Sequence, residues 1–132
     1  MFTIVVASNA PSGAAGIGGS PGGSVYLKVG ASMVEPEVYL NSSDNHYHMS
    51  VDKGEGNEPS GEAASKVGDI ANGLSSGEVP RYVSLKEQHE HQYTINASPD
   101  GELWLLVGTD SGFEGLTGIY YQRIAVALVP GK

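Results

Sequence analysis

The chain reads as all-β, a two-sheet antiparallel sandwich of jelly-roll type, on three observations. Gly and Pro, at 19 and 7 of 132 residues, supply turns throughout. Between them lie short runs rich in Val, Ile and Tyr, residues that suit a half-buried pleated surface. No apolar pattern of helical period is long enough to compete. At 132 residues the chain is one domain, with 39% hydrophobic residues to build its core.

The elements follow in order. Phe2 to Ala7 is a first strand, and Asn9 to Gly23 (NAPSGAAGIGGSPGG) is of low complexity and suits a flexible arm. Val25, Leu27 and Val29 alternate with Tyr26 and Lys28, which predicts a half-buried strand. Val38 to Leu40 and Tyr47 to Val51 are weaker strand candidates, and Asp52 to Glu62 is a solvated loop. Ala63 to Ile70 fits either a helical turn or a strand. Val79 to Leu85 is a strand whose start Pro80 confines to an edge. Gln92 to Ala97 places Tyr93 and Ile95 on one face of another. Pro99-Asp100-Gly101 is turn chemistry, and Glu102 to Val107 is apolar on both faces, as a covered strand would be. Gly108 to Gly118 gathers Thr109, Asp110, Ser111, Glu114 and Thr117 into an oxygen-rich loop of the kind that holds a hard cation or a polar ligand. Ile124, Val126 and Leu128 alternate with Ala125 and Ala127 in a closing strand.

Charge and motifs exclude several functions. A net charge of −8 argues against nucleic-acid backbone and anionic membrane surface as partners. No apolar run is long enough for membrane insertion. The start, Met1 to Ala7, lacks the basic and long apolar regions of a signal peptide, so the expected site of synthesis is the cytoplasm. Zero cysteines remove disulfides, a thiol nucleophile and thiolate metal sites. There is no Gly-x-Ser-x-Gly elbow, Walker loop or His-Glu-x-x-His helix. The expected class is therefore non-enzymatic.

Read in order, several segments resemble the PA-IL-like galactose-binding lectins, small calcium-dependent bacterial jelly rolls. Asn9-Ala-Pro-Ser-Gly13 with Gly16-Ile17 is similar to their opening Asn-x-Pro-x-Gly segment. Pro21 to Ser32 resembles their Gly-Asp turn and the strand after it, and Gly61 to Gly68 resembles a strand ending Lys-Ile-Gly. Tyr93 to Asp110 resembles the turn and strand that lead to the family's ligand loop, after an insertion spanning Ser76 to His91. The resemblance implies a galactoside-like glycan held partly through calcium. Equal spacing from Pro36 puts His48 at the family's galactose-contacting histidine, with Val51 in place of its Gln. Tyr47 and Tyr39 offer faces for a sugar's apolar side. Asp110 stands for the calcium-binding Asp, although an ungapped match puts Thr109 there. The carbonyl of Val34 stands for the early backbone ligand, and Glu114 or Phe113 falls at the Thr position. The family's Asn-Asn pair becomes Gly115-Leu116, just before Thr117. The expected sugar-binding residues are thus His48, Tyr47 and Asp110, and the expected calcium ligands Asp110, Glu114, Thr117 and Val34.

The four histidines form two His-x-His pairs, His46/His48 and His89/His91. On a strand each pair shares a face, which suits a transition metal or, more simply, a polar strand surface. A second function class stands beside the lectin reading: a homo-oligomeric structural subunit, such as a phage capsid decoration or tail protein, released or virion-associated. Sparse charge, at 17%, and the glycine-rich Asn9–Gly23 segment favour it.

Overall fold

The computed structural model describes residues 1–55, 61–128 and 130. The described residues form eight strands: β1 (Phe2–Ser8), β2 (Val25–Ser32), β3 (Val38–Asn41), β4 (His46–Met49), β5 (Ala64–Asp69), β6 (Val83–His89), β7 (Trp104–Ser111) and β8 (Ile119–Val126). The fold is all-β and every ladder between these strands is antiparallel. One sheet runs β6-β1-β8, the second β5-β2-β7, and β3-β4 forms a separate hairpin.

The alternation in Phe2–Ser8 and Val25–Ser32 explains the core. Phe2, Ile4 and Val6 of β1 face Val25, Leu27 and Val29 of β2 in one buried cluster, which Ala10 and Ile70 complete. The two central strands thus bury the apolar rows that the sequence pattern assigns them. On the outer flanks, β5 and β6 approach each other across the two sheets, whereas among the described residues no comparable contact joins β7 to β8.

The open choice at Ala63–Ile70 is decided for a strand, Ala64–Asp69, because its backbone pairs with β2. Several other expectations are corrected. The Asn9–Gly23 segment is packed rather than a free arm: Ser12 N donates to Leu74 O at 2.7 Å and Glu114 N to Ile17 O at 2.9 Å. Gly18 makes the close approach possible. It sits at φ +75°, and a Cβ there would lie 2.0 Å from the carbonyl oxygen of Gly112. β6 begins at Val83 instead of Val79, downstream of Pro80, which has no N–H to give a ladder. Gln92–Ala97 joins no strand; the Tyr93 ring tilts against His91 instead, at 5.8 Å between centroids. Alternation alone does not make a strand where no partner receives its backbone bonds.

At the C-terminal end, β7 is not covered on both faces. It is the last strand of its sheet, and Trp104 and Leu105 are exposed. It also runs further than expected, through Gly108–Ser111, which pair with Val25–Lys28. Only Gly112–Gly118 of the oxygen-rich segment is loop. β8 starts earlier than the Ile124–Leu128 alternation suggests, at Ile119. Of the Asp52–Glu62 loop, residues 56–60 lie outside the described residues. Among the described residues no helix is long and apolar enough to cross a membrane.

Candidate functional site

The site lies between the β3-β4 hairpin and the outer face of the β5-β2-β7 sheet. Its hairpin side is fixed by the turn chemistry of Asn41-Ser-Ser-Asp-Asn45. The Asn41 side chain accepts from Ser43 N, and Asp44 Oδ1 accepts from His46 N, both at 2.9 Å. Asn45 sits at φ 59°, where asparagine is among the few non-glycine residues tolerated. The register places Tyr39 opposite His48 and Leu40 opposite Tyr47.

On the sheet side, Lys28 is almost fully buried and its ammonium donates to Lys53 O at 2.9 Å, pinning the loop after Val51 to the sheet. The loop lies close because of Gly30, where a Cβ would meet Ala63 O at 1.8 Å. Asp52 holds the two arms of that loop together. Its Oδ1 accepts from Gly54 N at 3.0 Å and its Oδ2 from Glu62 N at 2.8 Å. Those two amides, aided by the Lys28 and Lys53 charges, hold the Asp52 carboxyl below its usual range.

Between hairpin and loop is a cleft of about 560 Å³, lined by Tyr47, His48, Asp52, Lys53 and Asp110 among others. A cleft of this size suits a small organic ligand. It brings together the three expected sugar-binding residues, His48, Tyr47 and Asp110, from two distant stretches of sequence. Tyr47 is 77% exposed, its ring open to a ligand face. The His48 ring stacks on Tyr39, at 5.9 Å between centroids, and its Nε2–H donates to Asp44 Oδ2 at 2.7 Å. That leaves Nδ1 as the acceptor of the neutral ring. Asp44 in turn is held below its usual pKa, first by the His46 amide and then by His48.

Asp110 Oδ2 accepts from the Lys53 ammonium at 2.7 Å. The carboxylate that would be the anionic calcium ligand is therefore engaged by a fixed cation. The other expected ligands stand elsewhere. Val34 is on the exposed turn after β2, its N–H bonded to Ser32 Oγ. Glu114 packs against Gly18. Thr117 is half-buried, with its Oγ1 enclosed and without a partner. None of the three lines the cleft, so the expected set does not form one oxygen cage. Among the described residues no group of three His, Asp or Glu side chains is placed to hold a metal. The donor set does not fit calcium.

Lys53, Asp44 and Asp52 are site residues that the sequence reading missed. Asp44 carried a signal in its spacing, since Asp44-x-His46-x-His48 puts an acid two and four residues before the two imidazoles. Lys53 carried none, because its role depends on how the loop lies over β2. The second histidine pair does not line the cleft: His89 Nε2 and His91 Nδ1 both meet Ser65 Oγ, at 2.7 and 2.9 Å. No protein-family model, curated protein or solved structure matches the chain.

Proposed function

We propose that this chain is a non-enzymatic, lectin-like carbohydrate-binding module whose glycan seat is the Tyr47–His48–Asp110 cleft. The observation that carries the reading is the convergence of an exposed aromatic face with a carboxylate, an ammonium and an imidazole in one cleft. A pyranoside has an apolar C–H face for Tyr47 and hydroxyls that both donate and accept. Asp110 accepts a hydrogen bond from one hydroxyl, Lys53 donates to the oxygen beside it, and His48 Nδ1 accepts a third bond. The nested β1·β8 and β2·β7 pairs are compatible with part of a jelly-roll wiring. In this reading Lys53 supplies the positive charge that calcium supplies in the galactose-binding family, and a galactoside-like glycan is bound without metal.

A glycan array probed in calcium and again in EDTA tests it. Galactoside binding should persist in EDTA, and Tyr47→Ala or Asp110→Ala should weaken it by about 1–3 kcal/mol, roughly tenfold to hundredfold. Binding that EDTA removes would overturn the role given to Lys53. No binding in either buffer would overturn the lectin reading.

One observation favours a second reading, a structural assembly subunit such as a capsid decoration or tail protein. Leu105, Tyr121 and Ile124 pair with core-facing residues of β2 and β1, yet each is 43–50% exposed. Among the described residues β7 and β8 also end their sheets with unpaired edges. Apolar rows left open in this way suit a homo-oligomer. Light scattering on the wild type should then show an oligomer and Ile124→Lys a monomer; a monomeric wild type would end this reading.

A further inference from the structure

Two apolar surfaces lie uncovered on different elements of the chain. One is the β3–β4 hairpin. Its register sets Val38 opposite Met49 and Leu40 opposite Tyr47, so these four side chains share one face of the two-stranded sheet. Val38 is 68% and Leu40 52% exposed. Among the described residues neither strand packs on any other strand as the two pack on each other. A two-stranded hairpin standing alone is marginal in water. The second surface is the open β7/β8 flank with Leu105, Tyr121 and Ile124.

Surface area measures how much cover is missing. The chain exposes 8192 Å². A compact monomer of 13.7 kDa exposes about 6,600 Å². The surplus, about 1,600 Å², is what one chain gives to two contacts of standard size, at about 800 Å² each.

Charge selects the partner. Met33 to Met49 carries Glu35, Glu37 and Asp44 and no Lys or Arg, whereas Arg123 is the one charged residue of β8. β7 adds only Asp110, which is held by Lys53. Hairpin against hairpin would set three acids against three, while hairpin against flank brings them toward a cation. We propose that the β3–β4 hairpin of one copy docks as an arm on the β7/β8 flank of a second copy of this chain. Each chain then gives an arm and receives one, which accounts for two patches per chain. The inference rests on the oligomeric reading above and names what covers the flank.

The arm docks through β3. No residue of Val38–Asn41 lines the cleft, which meets the hairpin at β4. Among the described residues β3, β7 and β8 all lie at sheet edges, so their backbone groups can extend a sheet across the contact. The contact is concentration-dependent, and in dilute solution the chain stands alone with its flank half in water.

Mixing two variants tests this. Leu40→Lys spoils the arm and Ile124→Lys the flank. Both side chains are about half in water, so both variants should keep the wild-type circular dichroism. By light scattering the wild type should be an oligomer and each variant alone a monomer. In an equimolar mixture the intact arm of the Ile124→Lys chain meets the intact flank of the Leu40→Lys chain, and the mass should double. If Leu40→Lys fails to fold, Val38→Lys on the same face replaces it. An oligomeric Leu40→Lys, or a mixture that stays monomeric, would overturn the arm-on-flank contact and leave the oligomeric reading standing. A monomeric wild type would overturn both.

Discussion

At the β5/β6 side of the sandwich, Ser65, His89 and His91 hydrogen-bond across the gap between the sheets. At the β7/β8 side, Leu105 is 50% exposed and Ile124 48%, although both share faces with buried core residues. The same two sheets are thus latched by polar groups along one flank and left apolar and open along the other. Their wiring accounts for the difference. β7 and β8 are joined through the Gly112–Gly118 loop, where Phe113 packs against the core. Their far ends, Trp104 and Val126, carry no such link. A core-facing position is therefore not the same thing as a covered position.

The largest test of this contrast is a matched pair of truncations. Leu27 on the central strand is 1% exposed. Leu27→Ala should cost about 2–5 kcal/mol, the transfer loss plus the cavity it leaves. Leu105→Ala, on the same sheet and the same face, should cost only about 1 kcal/mol, since half the side chain is already in water. Urea denaturation of both variants measures this. A similar large loss at Leu105 would mean that another surface covers the open flank.

A smaller effect is expected at Gly30, beneath the segment that forms the cleft wall. The added methyl of Gly30→Ala would collide with Ala63 O, so the segment must lift, at a cost of about 1–3 kcal/mol. Melting would report the loss, and the Gly54 and Glu62 amides should lose protection together with it. Loss of stability with those amides still protected would show that the strain is taken up elsewhere.

How much of this was legible in the sequence follows from the same contrast. Strands β1 and β2 were readable because their alternating rows are buried by each other, so pattern and environment agree. The Glu102–Val107 run was read as covered, and β7 proved an edge, because periodicity identifies a face but not what lies over it. Gln92–Ala97 alternates as well as a strand does, yet joins no ladder. In the site, His48 was singled out by a resemblance in spacing, Tyr47 by its aromatic face, and Asp110 by its place in the oxygen-rich segment, although the ungapped match falls on Thr109. Lys53 was invisible, since only the contact of Lys28 with its carbonyl brings it beside Asp110. Glu114 and Thr117 stand away from the cleft because Asp110 is on β7 whereas they follow it in the Gly112–Gly118 loop, and Val34 is on the exposed turn after β2.

The smallest effects lie on the acid side, where flank and cleft wall separate by pH. Burial lowers the His89 pKa from its usual 6.5, so below that value the unfolded chain binds a proton the folded one resists. The contribution of His89 to stability is present above pH 6.5 and is lost as pH falls from there through the depressed folded value. Asp52 acts in a lower window. The Glu62 and Gly54 amides depress its pKa from 3.8, so its contribution is present above 3.8 and is lost only as pH falls below that. Stability should therefore decline in two stages, the first about 1 kcal/mol or less for a partly exposed imidazole. The second should be a few tenths of a kcal/mol, since Asp52 is exposed and solvent screens it. Urea midpoints between pH 8 and pH 3 should lose the upper stage in His89→Phe and the lower in Asp52→Asn. If His89→Phe kept the upper stage, the closed flank would have to be held by something other than its imidazoles.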